Sequence, residues 1–149
     1  MSSADGHLGL YLYIWDEIVT KGRLEMFEEH FDPGCSFITP SMTLAGRDSI
    51  KAYFAELLGA FSEAEFVVEE AFEGEGRLVK RWEFRGAHTG MFSGIAATGN
   101  RVVYKGVTIA RMEEGKIVEE RDFADDLGLM QQLRSEERRV GKEGRSRWS

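Results

Sequence analysis

Hydrophobic periodicity separates a helical first part of the chain from a strand-rich second part. Apolar residues recur at intervals of three and four over residues 8–18, 24–31 and 50–61, the spacing of amphipathic helices. Lys21-Gly22 ends the first of these stretches, and Asp32-Pro33-Gly34 ends the second with turn residues. The pattern therefore predicts three helices near the N-terminus.

From residue 65 onward the hydrophobic period changes to two, which is typical of strands. Strands are predicted at residues 65–72, 78–88, 100–112 and 116–125, with an additional short one at residues 35–39. Glycine-containing turns, Gly74-Glu75-Gly76 and Glu113-Glu114-Gly115, separate neighbouring strands. Three helices followed by an antiparallel meander predict an α+β domain whose helices cover one face of the sheet.

The strand after Gly115 carries acidic residues on both faces. One face holds Ile117, Glu119, Arg121, Phe123 and Asp125, and the other holds Val118, Glu120, Asp122, Ala124 and Asp126. A sheet that packs on helices cannot turn both faces to solvent. At least one of these acids is therefore expected to face a space lined by protein, and this is the main functional lead.

Aromatic residues concentrate on the predicted helices and on the long strand at residues 78–88. Leu78, Lys80, Trp82, Phe84, Gly86 and His88 share one face of that strand. Tyr11, Trp15, Tyr53, Phe54, Trp82 and Phe84 are predicted to be core residues, some of which line a cavity. The glycine-rich loop at residues 89–99 carries Met91, Phe92 and Ile95, and it is either a lid over a pocket or a bulged connection.

Composition narrows the functional classes. The 149 residues, 42% hydrophobic, suffice for one domain with a real core. A formal charge of -7 argues against nucleic acid, and no apolar run has the length of a membrane span. The first residues lack a secretory pattern, so a cytoplasmic protein is expected. Cys35 is the single cysteine, and no zinc, phosphate-loop or nucleophile-elbow motif appears, so no metal site is expected.

Several stretches of the second half carry a family resemblance. They are Lys80-Arg81-Trp82-Glu83-Phe84-Arg85-Gly86-Ala87-His88-Thr89-Gly90-Met91-Phe92-Ser93-Gly94-Ile95, Thr98-Gly99, Gly115 to Glu120, and Asp125-Asp126-Leu127-Gly128-Leu129-Met130-Gln131-Gln132-Leu133. Together they resemble the SnoaL-like polyketide cyclases and ester cyclases of the nuclear transport factor 2-like superfamily, over residues 8–133. The resemblance implies a conical α+β barrel, in which three N-terminal helices pack in a strongly curved antiparallel sheet around an apolar pocket.

The resemblance also implies a cofactor-independent intramolecular aldol condensation on a small apolar carbonyl compound. The family's acid/base aspartate corresponds to Asp125, on the face shared with Phe123 and Ile117, and the family's assisting histidine corresponds to His88. Asp122 is then expected to be exposed. The residues expected to bind substrate are Arg121, Phe123, Trp82, Phe84, Tyr53, Trp15 and Phe92. Many relatives have tryptophan where this chain has Arg121, which changes the expected polarity of the pocket. A homodimer is expected.

Three alternatives stay open at the level of sequence. Asp125 is equally well placed to cap the turn at Leu127, and a lone strand histidine such as His88 is often structural. Arg121 to Asp125 also resembles the arginine and aspartate cluster of limonene-epoxide hydrolases, which need a second acid and an arginine on a neighbouring strand, where Arg111 is the candidate. The third alternative is a non-catalytic ligand-binding or dimerisation module, which an Asp125 on the surface would favour.

Both ends of the chain are expected to lie outside the domain. Residues 1–7 are small and polar and are expected to be frayed. Residues 134–149 carry six basic and three acidic residues without an apolar period. The stretch from Arg134 to Glu143 resembles the translation of a sequencing-adapter oligonucleotide, so a solvated, non-native extension is expected, with a natural basic tail as the alternative.

Overall fold

A computed structural model describes the backbone of residues 6–141 and the side chains of residues 6–134. The elements follow in the order α1 (Leu8–Val19), α2 (Met26–His30), β1 (Phe31–Ile38), β2 (Thr43–Ala45), α3 (Arg47–Ala60), β3 (Phe61–Gly74), β4 (Arg77–His88), β5 (Arg101–Glu113), β6 (Lys116–Ala124) and α4 (Asp126–Gly141). The three predicted N-terminal helices and the α+β class are confirmed.

The strands form one curved, unclosed sheet in the order β2-β1-β6-β5-β4-β3. Strands β3 to β6 form the predicted antiparallel meander. The expectation of a wholly antiparallel sheet is wrong at one pair, because β1 runs parallel to β6. Strand β1 is followed by β2 and α3, which carry the chain to β3 at the opposite edge of the sheet. The last strand of the meander, β6, therefore pairs with β1 and runs in the same direction.

Two local predictions in the first half need correction. Helix α2 is shorter than predicted, and Asp32-Pro33-Gly34 lies inside β1. Phe31 pairs with Ile117 and Ser36 pairs with Glu119, so β1 has additional residues bulged out of the ladder here. The Gly34 N–H donates to Asp32 Oδ2 at 2.9 Å, which fixes this turn within the strand. The three-residue strand β2 is not predicted by the sequence pattern.

The core lies between the helices and one face of the sheet. Trp15 from α1 packs against Phe27, Phe31 and Phe54, with ring centroids 5.0–6.2 Å apart. Aromatic pairs in this range add about 0.5–1.5 kcal/mol each beyond their burial. This cluster joins α1, α2, β1 and α3, and it positions α1 across the sheet.

The chain ends differ in how far the structure describes them. Residues 1–5 lie outside the described residues, but the predicted fraying does not extend to His7, whose N–H donates to Glu73 Oε1 at 3.1 Å. At the other end, the predicted short apolar turn is the beginning of the 16-residue helix α4. Residues 142–149 and the side chains from residue 135 lie outside the described part, so the non-native origin of residues 134–149 stays a prediction.

Candidate active site

A cavity of about 440 Å³ lies between the helices and the inner face of the sheet. Its wall is mainly apolar and contains five of the predicted substrate-binding residues, namely Trp15, Tyr53, Trp82, Phe84 and Phe92. Its polar residues include Lys80, Tyr104, Thr108, Glu120, Asp122 and Asp126. An apolar cavity with a few convergent polar groups is the usual form of a small-molecule site.

Strand β6 lines the cavity with the face opposite to the one expected from the sequence. Glu120, Asp122 and Ala124 line the cavity, and Asp126 continues this row at the start of α4. Glu120 is buried, Asp122 is partly buried and Asp126 is exposed, so the row runs from the interior to the cavity mouth. The expected exposure of Asp122 is corrected by this arrangement.

A β-bulge explains the reversed face. Met112 pairs with Ile117, but the adjacent Arg111 pairs with Glu119, which leaves Val118 as an extra residue on β6. The extra residue switches the alternation, so Ile117 and Glu120 are both buried although an ideal strand would place them on opposite faces. Beyond the bulge, Phe123 is 51% exposed. Arg121 is also exposed and pairs with Glu119, and neither Phe123 nor Arg121 lines the cavity.

Asp125 caps helix α4. Its Oδ1 accepts a hydrogen bond from the Gly128 N–H at 2.9 Å, and its side chain is exposed. A Cβ atom at position 128 would collide with the Asp125 carboxylate, so a side chain there would displace the capping carboxylate. The expected inward orientation of Asp125 is therefore corrected, and the geometry agrees with the capping alternative. Its acid/base role stays a prediction.

Asp122 ends a directed chain of hydrogen bonds across three strands. The Trp82 Nε1–H donates to Thr108 Oγ1 at 2.8 Å, and the Thr108 hydroxyl donates to Asp122 Oδ1 at 2.7 Å. Burial raises the pKa of Asp122 above its ordinary value, while the Thr108 hydrogen bond and the Lys80 charge oppose this rise. A carboxylate that is oriented, partly buried and open to a cavity has the properties of a proton acceptor.

Glycine at position 106 makes room for this chain. A Cβ atom there would lie 2.5 Å from Trp82 Cζ2 and 3.0 Å from the Ala124 Cβ. Since Gly106 pairs with both Trp82 and Ala124 in the sheet, the Trp82 ring lies directly over the glycine. Its absent side chain therefore allows Trp82 to reach Thr108.

Glu120 lies deeper in the protein and is fully buried. The Tyr11 hydroxyl donates to its Oε1 at 3.0 Å, and the Trp15 Nε1–H donates to its Oε2 at 2.9 Å. Burial, followed by the neighbouring Asp122 charge, raises the pKa of Glu120 to about 7, although Lys80 acts in the opposite direction. Glu120 therefore takes up a proton close to neutral pH.

Lys80 is the cationic residue of the cavity wall, and it is 2% exposed. Its Nζ lies 4.4 Å from the ring centroid of Tyr11, 4.7 Å from that of Trp15 and 5.0 Å from that of Phe66. Burial lowers its pKa to about 8, against the opposing charges of Glu120 and Asp122. A functional role for Lys80 was not predicted, although a lysine on the same strand face as Leu78 and Trp82 was the available signal.

The cavity mouth is framed by two tyrosines, the N-terminus of α4 and a loop. The Tyr104 hydroxyl donates to Asp126 Oδ1. Burial, followed by the charge of Asp126, raises the pKa of Tyr53 to about 12. In the loop at residues 89–99, Phe92 pairs with Ile95 across a tight turn. Because Phe92 and Ser93 line the cavity, this loop forms part of the wall.

His88 is fully buried beside the cavity but does not line it. Its Nδ1 accepts a hydrogen bond from the Thr98 N–H at 3.3 Å and lies 3.0 Å from Thr98 Oγ1. Its ring lies 5.4 Å from that of Phe61. These contacts attach the loop to β4, and the assisting catalytic role of His88 stays a prediction.

Arg111 does not supply the arginine that an epoxide-hydrolase site requires. Its guanidinium pairs with Glu119 at 3.0 Å and Glu113 at 3.3 Å, and it does not line the cavity. Among the described residues, no cluster of histidine, cysteine, aspartate or glutamate is arranged to hold a metal ion. Within the same part of the chain, no helix is long and apolar enough to cross a membrane.

Structural relatives share this fold at low sequence identity. TsrD from Streptomyces laurentii has a TM-score of 0.73 at 20% identity, with 82% of this chain and 90% of that chain covered. A protein with a ketosteroid isomerase-like fold from Catenulispora acidiphila has a TM-score of 0.70 at 12% identity, covering 85% and 94%. At these identities the likeness establishes the fold alone.

Sequence relatives are more specific. The aklanonic acid methyl ester cyclase DauD of Streptomyces sp. (strain C5) is 32% identical over 109 residues, which span 72% of this chain and 66% of DauD. The nogalonic acid methyl ester cyclase of Streptomyces nogalater is 30% identical over 117 residues, which span 75% of this chain and 86% of that protein. The family model for SnoaL-like polyketide cyclases matches residues 10–133. The chain therefore belongs to the SnoaL-like polyketide cyclase family.

Proposed function

We propose that this protein is a cyclase that closes a ring in a small polyketide-derived ester by an intramolecular aldol reaction, with Asp122 as the acid/base group. The observation that carries the proposal is the orientation of Asp122, which lies on the cavity wall and is held there by Thr108. Family membership and the names of the curated relatives support the reaction type.

The reaction requires one group that takes and returns a proton. The ionised Asp122 removes a proton from a carbon between two carbonyl groups, and an enolate forms. The enolate carbon then attacks a second carbonyl carbon of the same molecule, a carbon–carbon bond forms, and the new alkoxide takes the proton from Asp122. Since the pKa of Asp122 is raised by burial, its carboxylate is a stronger base than an aspartate in water.

The cavity wall supports a small, largely apolar substrate of aromatic character. Trp15, Tyr53, Trp82, Phe84 and Phe92 present ring surfaces around the space next to Asp122. The two curated relatives are named as cyclases of aklanonic acid methyl ester and nogalonic acid methyl ester, so a methyl ester of this type is the substrate class that we propose. The polar groups at the mouth, Tyr104 and Asp126, would meet its oxygen-bearing end.

The decisive test compares Asp122→Asn with Asp125→Asn. Aklanonic acid methyl ester and nogalonic acid methyl ester are supplied as substrates, and ring closure is followed by chromatography and mass spectrometry. We expect Asp122→Asn to lower kcat by roughly 10²- to 10⁴-fold, the usual contribution of a general base. Asp125→Asn preserves a cap residue, because asparagine is as good an N-cap as aspartate, and it should retain activity.

The reverse result would restore Asp125 as the acid/base residue, as the family resemblance implies, and would remove Asp122 from that role. A wild-type protein that binds these esters without converting them would favour the ligand-binding module. Conversion of limonene oxide to a diol would favour epoxide hydrolysis instead. Folding of each variant is checked by circular dichroism before its activity is compared.

We also infer that the protein is a cytoplasmic homodimer. The outer face of the sheet exposes the apolar side chains of Val103 and Phe123 on the neighbouring strands β5 and β6. Apolar side chains exposed on a sheet face are often covered by a second subunit.

A further inference from the structure

Lys80 is a buried cation that has no polar partner among the side chains of residues 6–134. Its side chain is 2% exposed, and its ammonium makes no hydrogen bond or ion pair with any residue whose side chain the structure describes. The rings of Tyr11, Trp15 and Phe66 lie around Nζ, with their centroids 4.4–5.0 Å away. Aromatic faces attract a cation, but they do not accept its N–H groups as an oxygen atom does.

The ammonium opens onto the cavity that also contains Asp122. Lys80 from β4, Glu120 and Asp122 from β6, and Thr108 from β5 all belong to the same wall. Glu120 already accepts hydrogen bonds from Tyr11 and Trp15, and Asp122 accepts one from Thr108. The unused donor capacity of Lys80 is therefore directed to whatever occupies the cavity.

We propose that Lys80 binds an oxygen that carries negative charge, so that the site stabilises the anion of an acidic enol or phenol. This inference rests on the proposed function for its catalytic meaning: the oxygen would be the enolate oxygen that forms when Asp122 removes the proton. The expected substrate is thus an acidic 1,3-dicarbonyl compound or a polyketide phenol, rather than an isolated ketone.

Charge balance supports this arrangement. In the empty site, the ionised Asp122 and the ammonium of Lys80 offset each other through the low-dielectric wall. When the proton moves from substrate carbon to Asp122, the negative charge moves to the substrate oxygen, and Lys80 offsets the charge at its new position. Proton transfer leaves the net charge of the site unchanged, and the ammonium compensates the negative charge at its new position, which lowers the cost of an enolate held away from water.

The test uses p-nitrophenol, whose phenolate absorbs visible light, so the protonation state of the bound probe is measured without catalysis. In the wild-type protein, we expect the pKa of the bound probe to fall by roughly one unit or more, a tenfold preference for phenolate. In Lys80→Met, we expect the bound probe to be mainly neutral phenol. Lys105→Met removes a lysine from an exposed position of β5 and should behave as wild type.

Asp122→Asn provides a second test of the same inference, because it removes the negative charge that repels the bound phenolate. It should strengthen phenolate binding while it lowers cyclisation. The groups that titrate around Lys80 are Tyr11 on α1 and Glu120 and Asp122 on β6, so each binding curve is measured across pH. If Lys80→Met is poorly folded, the double variant Lys80→Met/Glu120→Gln is used in its place, because it removes one positive and one negative group together.

Unchanged phenolate preference in a folded variant without Lys80 would overturn this inference. The assay does not depend on turnover, so its outcome is separate from that of the proposed function. A protein that prefers phenolate through Lys80 but closes no ring would retain the anion site and lose the cyclase proposal. If the protein closes the ring but the protonation state of the bound probe is the same with and without Lys80, the cyclase proposal is retained and the anion site is lost.

Discussion

At the scale of single residues, the least expected feature is a group of three ionisable side chains inside the domain. Lys80 and Glu120 are almost fully buried, and Asp122 lies beside them at the cavity wall. Buried charges are costly unless they are paired or hydrogen-bonded. The hydrogen bonds from Tyr11, Trp15 and Thr108 reduce this cost on the acidic side. The remaining free-energy cost of burying these charges is expected in a site whose ionisable groups serve a reaction and do not stabilise the fold.

The raised pKa of Glu120 gives a prediction about stability and pH. Its pKa is about 7 in the folded protein, compared with an ordinary value of 4.5, so the folded state binds this proton more tightly than the unfolded state. The resulting stabilisation is complete below pH 4.5 and is lost as pH rises through about 7. The wild-type free energy of unfolding should therefore decrease from pH 5 to pH 7, by about 1–3 kcal/mol from this group.

Denaturant titrations at several pH values check this expectation. In Glu120→Gln the decrease should be much smaller, with a part remaining because the pKa of Asp122 is also raised. Glu75→Gln, in the exposed turn between β3 and β4, is the matched control and should follow wild type. A Glu120→Gln profile parallel to that of wild type would contradict the assignment.

At the scale of elements, one extra residue decides which face of β6 meets the ligand. The alternation of apolar and charged residues is clear in the sequence, but Val118 bulges out of the ladder and reverses the relation between Ile117 and the acids that follow. Ile117 therefore packs in the core with Glu120, and Phe123 and Asp125 are exposed. A sequence pattern of period two contains no signal for a bulge of this kind, because the bulge depends on pairing with β5.

The contact between β4 and β5 gives a second prediction at this scale. In Gly106→Ala, the new methyl group would meet the Trp82 ring at 2.5 Å, and a ring held between strands cannot yield easily. We expect a loss of about 1–3 kcal/mol in stability, because the added methyl group overpacks the site. We also expect a changed Trp82 fluorescence, because the hydrogen bond from Trp82 Nε1 to Thr108 is disturbed. Calorimetry and emission spectra measure both effects.

Gly59→Ala is the matched control for this substitution. Position 59 lies in α3, and a Cβ atom there has no neighbour within 4 Å. Alanine is the better helix former by about 1 kcal/mol, so this variant should be equally or more stable. Equal destabilisation by both substitutions would show that the contact between position 106 and the Trp82 ring is not the cause of the lost stability.

At the scale of the whole molecule, the open sheet has two different faces. The inner face holds the helices and the cavity, and the outer face exposes Phe123 and Val103 beside charged residues such as Arg121. Such a division suits a protein that binds a small molecule on one side and another subunit on the other. The proposed dimer rests on this outer face.

Replacement of Phe123 with aspartate tests the dimer directly. It places a charge in the apolar outer patch without touching the cavity, so we expect a dimer to become a monomer while phenolate binding is retained. Light scattering coupled to gel filtration measures the mass. Asp48→Lys changes the charge at an exposed position of α3, on the helix side of the sheet, and is the control. A wild-type protein that is already monomeric would reject the dimer.

The sequence by itself determined the class of fold and much of the cavity wall. Helical and strand periods predict α1, α3 and the meander, since local spacing reflects which side chains are buried against a neighbouring layer. The aromatic residues expected to bind substrate include Trp15, Tyr53, Trp82, Phe84 and Phe92, which line the cavity, and their contact with substrate stays a prediction. The family resemblance predicted the SnoaL-like polyketide cyclase family, and the family model that matches residues 10–133 confirms it.

The tertiary structure decided which acid meets the ligand and which acid caps a helix. Asp122 and Asp125 are three residues apart and chemically identical, and they differ because one faces Thr108 across the sheet and the other meets the Gly128 N–H at the start of α4. Lys80 likewise became a candidate only when β4 and β6 placed it near Glu120 and Asp122. These relations join residues distant in the chain, and register and packing fix them, whereas local periodicity does not.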